Sequence, residues 1–310
     1  MRAATSDTEN KAIREGICVG VRGDGRALEQ ARTPTIVCGA IPHSDGSAHV
    51  DLDGTQVVCS VNCNVLETRD GRGKLRIFLD ALPSVVSIYG TMISGTAPCG
   101  RSQFLAFISQ NLCAAFGASA YVAQETGTVE AVTEEQNDEV PALLSTFPGE
   151  QLSLTHNFAF VLDVDVHLLQ CHGGNILGAA SLAVRAALTS TRPPAVTLHE
   201  TAAGIAVEID RSSSFQHPIS WKSLPIISFL RLSDSSYVVD PTLPEEAALP
   251  QWAIVAAAGP EAVSYFTFGS FPSQKGPARM YSRCDMEALV ADGIVYCHRL
   301  IHAAFSDISE

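Results

Sequence analysis

At 310 residues, with 46% hydrophobic and 17% charged residues, the chain can fill one large or two smaller packed domains and is too apolar to be disordered. A formal net charge of -13 excludes a surface that grips nucleic acid all round, so any contact with a polyanion must be local or belong to partners. No apolar run reaches the length of a membrane-spanning helix, and the opening MRAATSDTENK lacks the apolar stretch of a secretion signal.

In chain order, residues 1–15 read as an N-terminal tail. Alternating β-type segments fill the first third, punctuated by turns at GDG, SDG and LDG. The alternation in QVVCSVNCNV puts Cys59 and Cys63 on one strand face. No second ligand pair follows at zinc-site spacing, so they read as small buried thiols of a reducing compartment. The segment RDGRGKLR carries Arg69, Arg72, Lys74 and Arg76 among glycines and reads as a loop. Such a cluster suits sequence-independent contact with the phosphates of a single strand; the plain alternative is a solvated turn.

The stretch Gly100 to Phe116 predicts an amphipathic helix opening near Ser102 as N-cap. From Gln124 to Glu139 the chain turns acidic, and an insert of about 124–150 is expected to be a mobile loop, with a short surface helix as the alternative. HNFAFVLDVDVHLLQC then predicts a long strand with Phe158, Phe160, Leu162, Val164, Val166 and Leu168 toward the core. Asp163, Asp165 and His167 share its other face, but three such positions span about 13 Å, too far for one ion. A polar sheet face is the expectation there.

The stretch HGGNILGAASLAVRAAL, His172 to Leu188, opens on a glycine pair and runs into a helix, Ile176 to Leu188, that TRPP then breaks. A glycine turn at a helix N-terminus is the layout of a phosphate cradle. The two positions where a hydroxyl and a fixed cation would serve a phosphate hold Asn175 and Ile176. Further strands are expected at AVTL, IAVEI, IISFLRL and SYVV, a hairpin at WAIVAAA and AVSYFTF, and a last helix from Asp285 to Phe305. In VVDPTLPEEAAL, Asp240 and Glu246 form an acidic pair suited to proton transfer or to holding magnesium. The pair reads first as a capped turn, with Asp240 as an Asx-type cap and Glu246 in the next helical turn.

Four motifs in order, RGDGRALEQARTPTI, DGSAHVDLDGTQVVCSV, HGGNILGAASLAVRAAL and YVVDPTLPEEAAL, resemble the RNase PH family over roughly Gly16 to Phe305. The resemblance implies an α/β (α+β) fold of two β-then-helix halves, residues 16–194 and 195–310. Active members read Gly-Gly-Thr/Ser-Arg where this chain has Gly173, Gly174, Asn175 and Ile176, and two Asp where it has Asp240 and Glu246. Their helix matching Gly100 to Phe116 carries several arginines, whereas this one has Arg101 and then Phe104, Phe107, Asn111 and Ala114, a face suited to packing on a neighbour. Losing one charge-assisted contact to an attacking phosphate costs about 2–4 kcal/mol, or 10²–10³ in rate.

The chain is therefore similar to the non-catalytic ring subunits of the eukaryotic RNA exosome, the ribosomal-RNA-processing group forty-three first and forty-two next. That likeness implies a scaffold for RNA processing and degradation, with Asp240, Glu246, Asn175 and Ile176 as vestiges, and with neither metal nor cofactor. The implied partners are other RNase PH-like ring subunits, cap subunits with RNA-binding domains, a hydrolytic exoribonuclease and single-stranded RNA, but no membrane. The Arg69 to Arg76 connection would face the central channel, and the implied location is nucleus, nucleolus and cytoplasm. The alternative is an active phosphate-dependent 3′-to-5′ exoribonuclease that draws its cation from elsewhere in the chain.

Overall fold

The computed structural model describes residues 6–68, 70–94, 101–123, 129–131, 147–201, 204–217, 219–233, 236–259, 262–271 and 281–305. The chain opens with helix α1 (Asp7–Cys18), whose first turn is capped by the Ser6 hydroxyl accepting from the Glu9 N–H. Four strands follow: β1 (Thr35–Cys38), β2 (Gly46–Asp51), β3 (Thr55–Glu67) and β4 (Lys74–Ala81). Helices α2 (Pro83–Ser94) and α3 (Arg101–Phe116) then cross to β5 (Ser119–Ala123), parallel to β4, and a short β6 (Val129–Ala131). The long β7 (Phe158–Cys171) returns through the middle, giving a seven-stranded sheet in the order β1-β2-β3-β7-β4-β5-β6.

Period-two alternation explains why the centre of this sheet forms. Leu162, Val164, Val166 and Leu168 of β7 face the core with Val57, Cys59, Val61 and Cys63 of β3, all 0% exposed. Burial pushes the thiols of Cys59 and Cys63 well above their ordinary pKa, so they behave as inert core groups.

Helix α4 (Ile176–Thr189) packs on this sheet and on the second half, and every residue from Ile176 to Leu188 is buried. A helix enclosed on all sides has room for few large groups, which accounts for its alanines. The second half has a β8 (Pro194–Thr201) and β9 (Gly204–Ser214) ribbon, then β10 (Ile226–Leu232), β11 (Tyr237–Val239) and the short helix α5 (Leu243–Ala248). The hairpin β12 (Gln251–Gly259) and β13 (Ala262–Ser270) completes an antiparallel sheet in the order β11-β10-β12-β13, and α6 (Arg283–Phe305) packs on it. The two β-then-helix halves match the expected fold class.

Four expectations are corrected. Of the expected tail, Asp7 onward belongs to α1, which lies against α5, with Ile17 buried beside Val238 and Leu249, while residues 1–5 lie outside the described residues. The helix after Gly100 starts at Arg101, so Ser102 lies inside it. The face of α3 that lacks arginines is used within the chain, with Phe104 buried and Phe107 packed edge-on against Trp252 and Phe271, each 5.3 Å away. Tyr265 also donates to Asn111 Oδ1 at 3.2 Å. In the acidic insert, residues 129–131 form a strand on β5, while 124–128 and 132–146 lie outside the described residues.

Candidate functional site

The glycine pair, Asn175 and the acidic pair come together where the N-terminus of α4 meets the loop between β11 and α5. Asp240 is 0% exposed and sits at φ 50, in the left-handed region. Its Oδ1 accepts from Arg32 Nη2 at 2.7 Å and from Asn175 Nδ2 at 2.7 Å. Its Oδ2 accepts from the Arg32 backbone N–H and Nε, both at 2.8 Å, and from Arg26 Nη1 at 2.9 Å. Burial alone would raise the carboxyl pKa, but the hydrogen bonds and charge of Arg32, with Asn175, outweigh it and hold Asp240 below its ordinary value.

Asp240 is thus not the Asx-type cap expected from the sequence. Thr242 is the N-cap of α5, and its N–H donates to Glu245 Oε2 at 2.8 Å. Glu245 also takes a two-pronged ion pair from the fully buried Arg22, at 2.8 Å to Oε1 and 2.7 Å to Oε2. Arg22 reaches the carbonyls of Val239 and Asp240 as well, each at 3.0 Å. The segment from Arg22 to Arg32 therefore straps the β11–α5 loop with three guanidinium groups.

Glu246 is also 0% exposed and accepts from the Asn175 N–H at 2.7 Å. Burial raises its pKa, opposed in part by Arg231, Tyr89, the Asn175 N–H and Arg32. Arg231, itself wholly buried, has its pKa lowered by burial to about 10 and stacks over Phe271 at 4.8 Å. The missing cation inferred at Ile176 is therefore only half the account: positive charge reaches the acidic pair from Arg26, Arg32 and Arg231, and it is spent on the carboxylates themselves.

The glycine turn is not open to an anion. Gly174 has φ 77, and a Cβ there would fall closer than 3.0 Å to backbone atoms of Pro241, Thr242 and Leu243. A Cβ on Gly173 would meet the carbonyls of Leu52 and Asp53 equally closely. These glycines let three stretches of backbone touch. Asn175, at φ 48 and 1% exposed, caps α4 by accepting from Gly178 N–H at 3.1 Å. Ile176 is buried at 2%. A surface depression of about 460 Å³ is lined by Arg32, Thr33, Thr35, Asp51, Asp53 and Gly54, and neither Asp240 nor Glu246 lines it.

The basic cluster is not a four-cation loop. Arg69 lies outside the described residues, and β4 begins at Lys74. Arg76 makes a two-pronged pair with Asp163, at 2.5 and 2.7 Å, and Asn64 donates to the same carboxylate at 2.6 Å. Arg72 is exposed and pairs with exposed Glu150 at 2.9 Å, while Lys74 is exposed on the first residue of β4. Asp163 therefore has a cationic partner within the sheet, and Asp165 beside it is half-buried, its carboxyl pKa raised by burial.

The sequence reading missed Arg22, Arg26, Arg32, Glu245, Tyr89 and Arg231. The only available signal for the first three was the 22, 26, 32 spacing of arginines inside RGDGRALEQAR.

Residues 30–194 match the family described as the 3′ exoribonuclease family, domain 1, under the name RNase PH. An exosome complex component Rrp42 from Thermococcus gammatolerans is 28% identical over 234 residues, 74% of this chain and 72% of that protein. The exosome complex component rrp42 of Schizosaccharomyces pombe is 22% identical over 267 residues, 79% of this chain and 74% of that protein. Among solved structures, an archaeal exosome core superposes with a TM-score of 0.64 at 18% identity, covering 98% of this chain and 97% of the other.

Proposed function

Because this chain belongs to the RNase PH family of 3′ exoribonucleases, we propose that it is a catalytically silent ring subunit of an RNA exosome. It scaffolds RNA processing and degradation and carries out no phosphorolysis. One observation carries the reading: Asp240 and Glu246, the pair at the catalytic positions of the resemblance, are 0% exposed and bonded to the chain's own groups. A general acid or a magnesium ligand must touch substrate or ion, and Asp240 has both oxygens committed to Arg26, Arg32 and Asn175. The relatives named as exosome components support the ring role. Among ring paralogues we place the chain in group forty-three first and forty-two next on its motifs, while both relatives above carry the Rrp42 name. The proposed partners are other RNase PH-like chains, cap subunits with RNA-binding domains and a separate hydrolytic nuclease, in nucleus and cytoplasm.

Co-expression with RNase PH-like partners, read by native mass spectrometry, tests the reading. A stoichiometric hetero-oligomer with a raised unfolding temperature is expected, because binding to the folded state alone stabilises it. A monodisperse monomer whose unfolding temperature no partner changes would contradict it.

If the β3–β4 connection lines a channel, the exposed cations it offers among the described residues are Arg72 and Lys74, since Arg76 is half-buried and held by Asp163. Arg72→Glu with Lys74→Glu in the assembled ring should leave assembly intact. The slope of log affinity for single-stranded RNA against log salt should become shallower by roughly 0.7 per lost contact. An unchanged slope in the intact ring would assign both residues to an ordinary solvated turn.

A further inference from the structure

We propose that helix α6 carries a two-histidine chelate, His298 with His302, for a divalent ion of the nickel, copper and zinc group. The inference stands apart from the ring reading, and the two can fail independently. The two residues are four apart on α6 and so lie one above the other on the same helix face. That spacing is the one by which a helix offers two imidazoles to one metal. The helix buries its opposite side, where Gly293 meets Val255 of β12 and the Cys297 thiol donates to the Ile226 carbonyl of β10. His302 is exposed and His298 half-buried, beside the exposed Arg299, so the pair opens to solvent.

The two ring centres are 4.6 Å apart and the ring planes cross at 71°. With metal–nitrogen bonds of about 2.0–2.1 Å, two imidazoles on one ion have centres about 4.5–5.2 Å apart, from square to tetrahedral angles. The observed spacing falls inside that window. Each ring centre lies near its Cβ–Cγ axis, so turning χ2, a broad torsion, aims the nitrogens while the separation stays the same. Among the described residues neither ring is hydrogen-bonded. No third His, Cys, Asp or Glu of that set joins the pair, so water completes the coordination. Imidazole selects borderline ions over magnesium and calcium, which take oxygen ligands. That preference separates the pair from the general attraction of cations to a chain of net charge -13.

The test titrates the full chain, as wild type, His298→Ala and His302→Ala, with zinc chloride, nickel chloride and magnesium chloride, read by calorimetry. Wild type should take up zinc and nickel at micromolar concentration and leave magnesium unbound. Each variant should lose about tenfold or more in affinity for zinc and nickel. The exposed Cys18 and Cys284 are present in all three proteins, so any binding to them cancels in the comparison. A wild type that takes up neither ion, or an affinity left unchanged by either substitution, would overturn the proposal. Magnesium uptake that competes with zinc would equally overturn it, by reducing the effect to general electrostatics. Should a variant not fold, diethyl pyrocarbonate labelling of the wild type, read residue by residue by mass spectrometry, decides. Zinc should then protect His298 and His302 and leave the exposed His43 reactive. Labelling of His298 and His302 that zinc does not change sinks the proposal.

Discussion

Replacing Asp240 by alanine is expected to lower the stability of the folded chain by about 3–5 kcal/mol, the cost of stranding buried cations. Arg32 and Arg26 have side chains only 8% and 12% exposed and would each lose the carboxylate they share. The left-handed backbone at Asp240 and at Asn175 adds strain that the hydrogen bonds of these two residues offset. Urea unfolding should show the midpoint falling with little change in slope. A variant as stable as wild type would mean that the carboxylate is not an anchor. The pH dependence follows with a definite sign. Asp240 is held below its ordinary value of 3.8, so its contribution is fully present above that value and is lost as the pH falls through the depressed one. Glu246, raised above 4.5, works in the opposite direction: its contribution is present below 4.5 and lost as the pH rises through its folded value.

The second large effect is expected at Gly174. Alanine there must hold φ 77 and place its Cβ against the backbone of Pro241, Thr242 and Leu243. Strain of about 1–2 kcal/mol from the left-handed conformation adds to a collision that can relax only by moving α5 away from α4. A total of about 3 kcal/mol or more is expected, with most of the soluble protein lost. Gly54→Ala is the matched control. It sits at φ 87 but its Cβ would meet nothing closer than 3.7 Å, so it should show the strain alone. Equal losses at the two glycines would refute the packing role of the Gly173–Gly174 turn and restore the phosphate-cradle reading.

Most elements are legible because their signals are local. Strand β7 follows from strict alternation, the β12–β13 hairpin from two apolar runs across a Gly-Pro pair, and α4 from its glycine opening and TRPP stop. Two local signals were there and unused. Ser6 and Glu9 have the spacing of a capping box at the start of α1. Leu75, Ile77 and Leu79 alternate through the basic cluster and mark it as strand. The site was legible only in part. Asp240, Glu246 and Asn175 were singled out and do converge, but the arginines that neutralise Asp240 lie more than 200 positions away in the chain. No spacing rule connects such residues, because the packing of the N-terminal strap on the β11–α5 loop brings them together.

The central claim is that the acidic pair anchors the fold and does not act on RNA. The most direct measurement incubates the purified chain, alone and in its ring, with oligo(A), magnesium and inorganic phosphate, and assays nucleoside diphosphate release. The account predicts none from the isolated chain, and release by the ring that is unchanged when Glu246→Gln is introduced. Phosphate-dependent release by the isolated chain that disappears in a folded Glu246→Gln variant would contradict it.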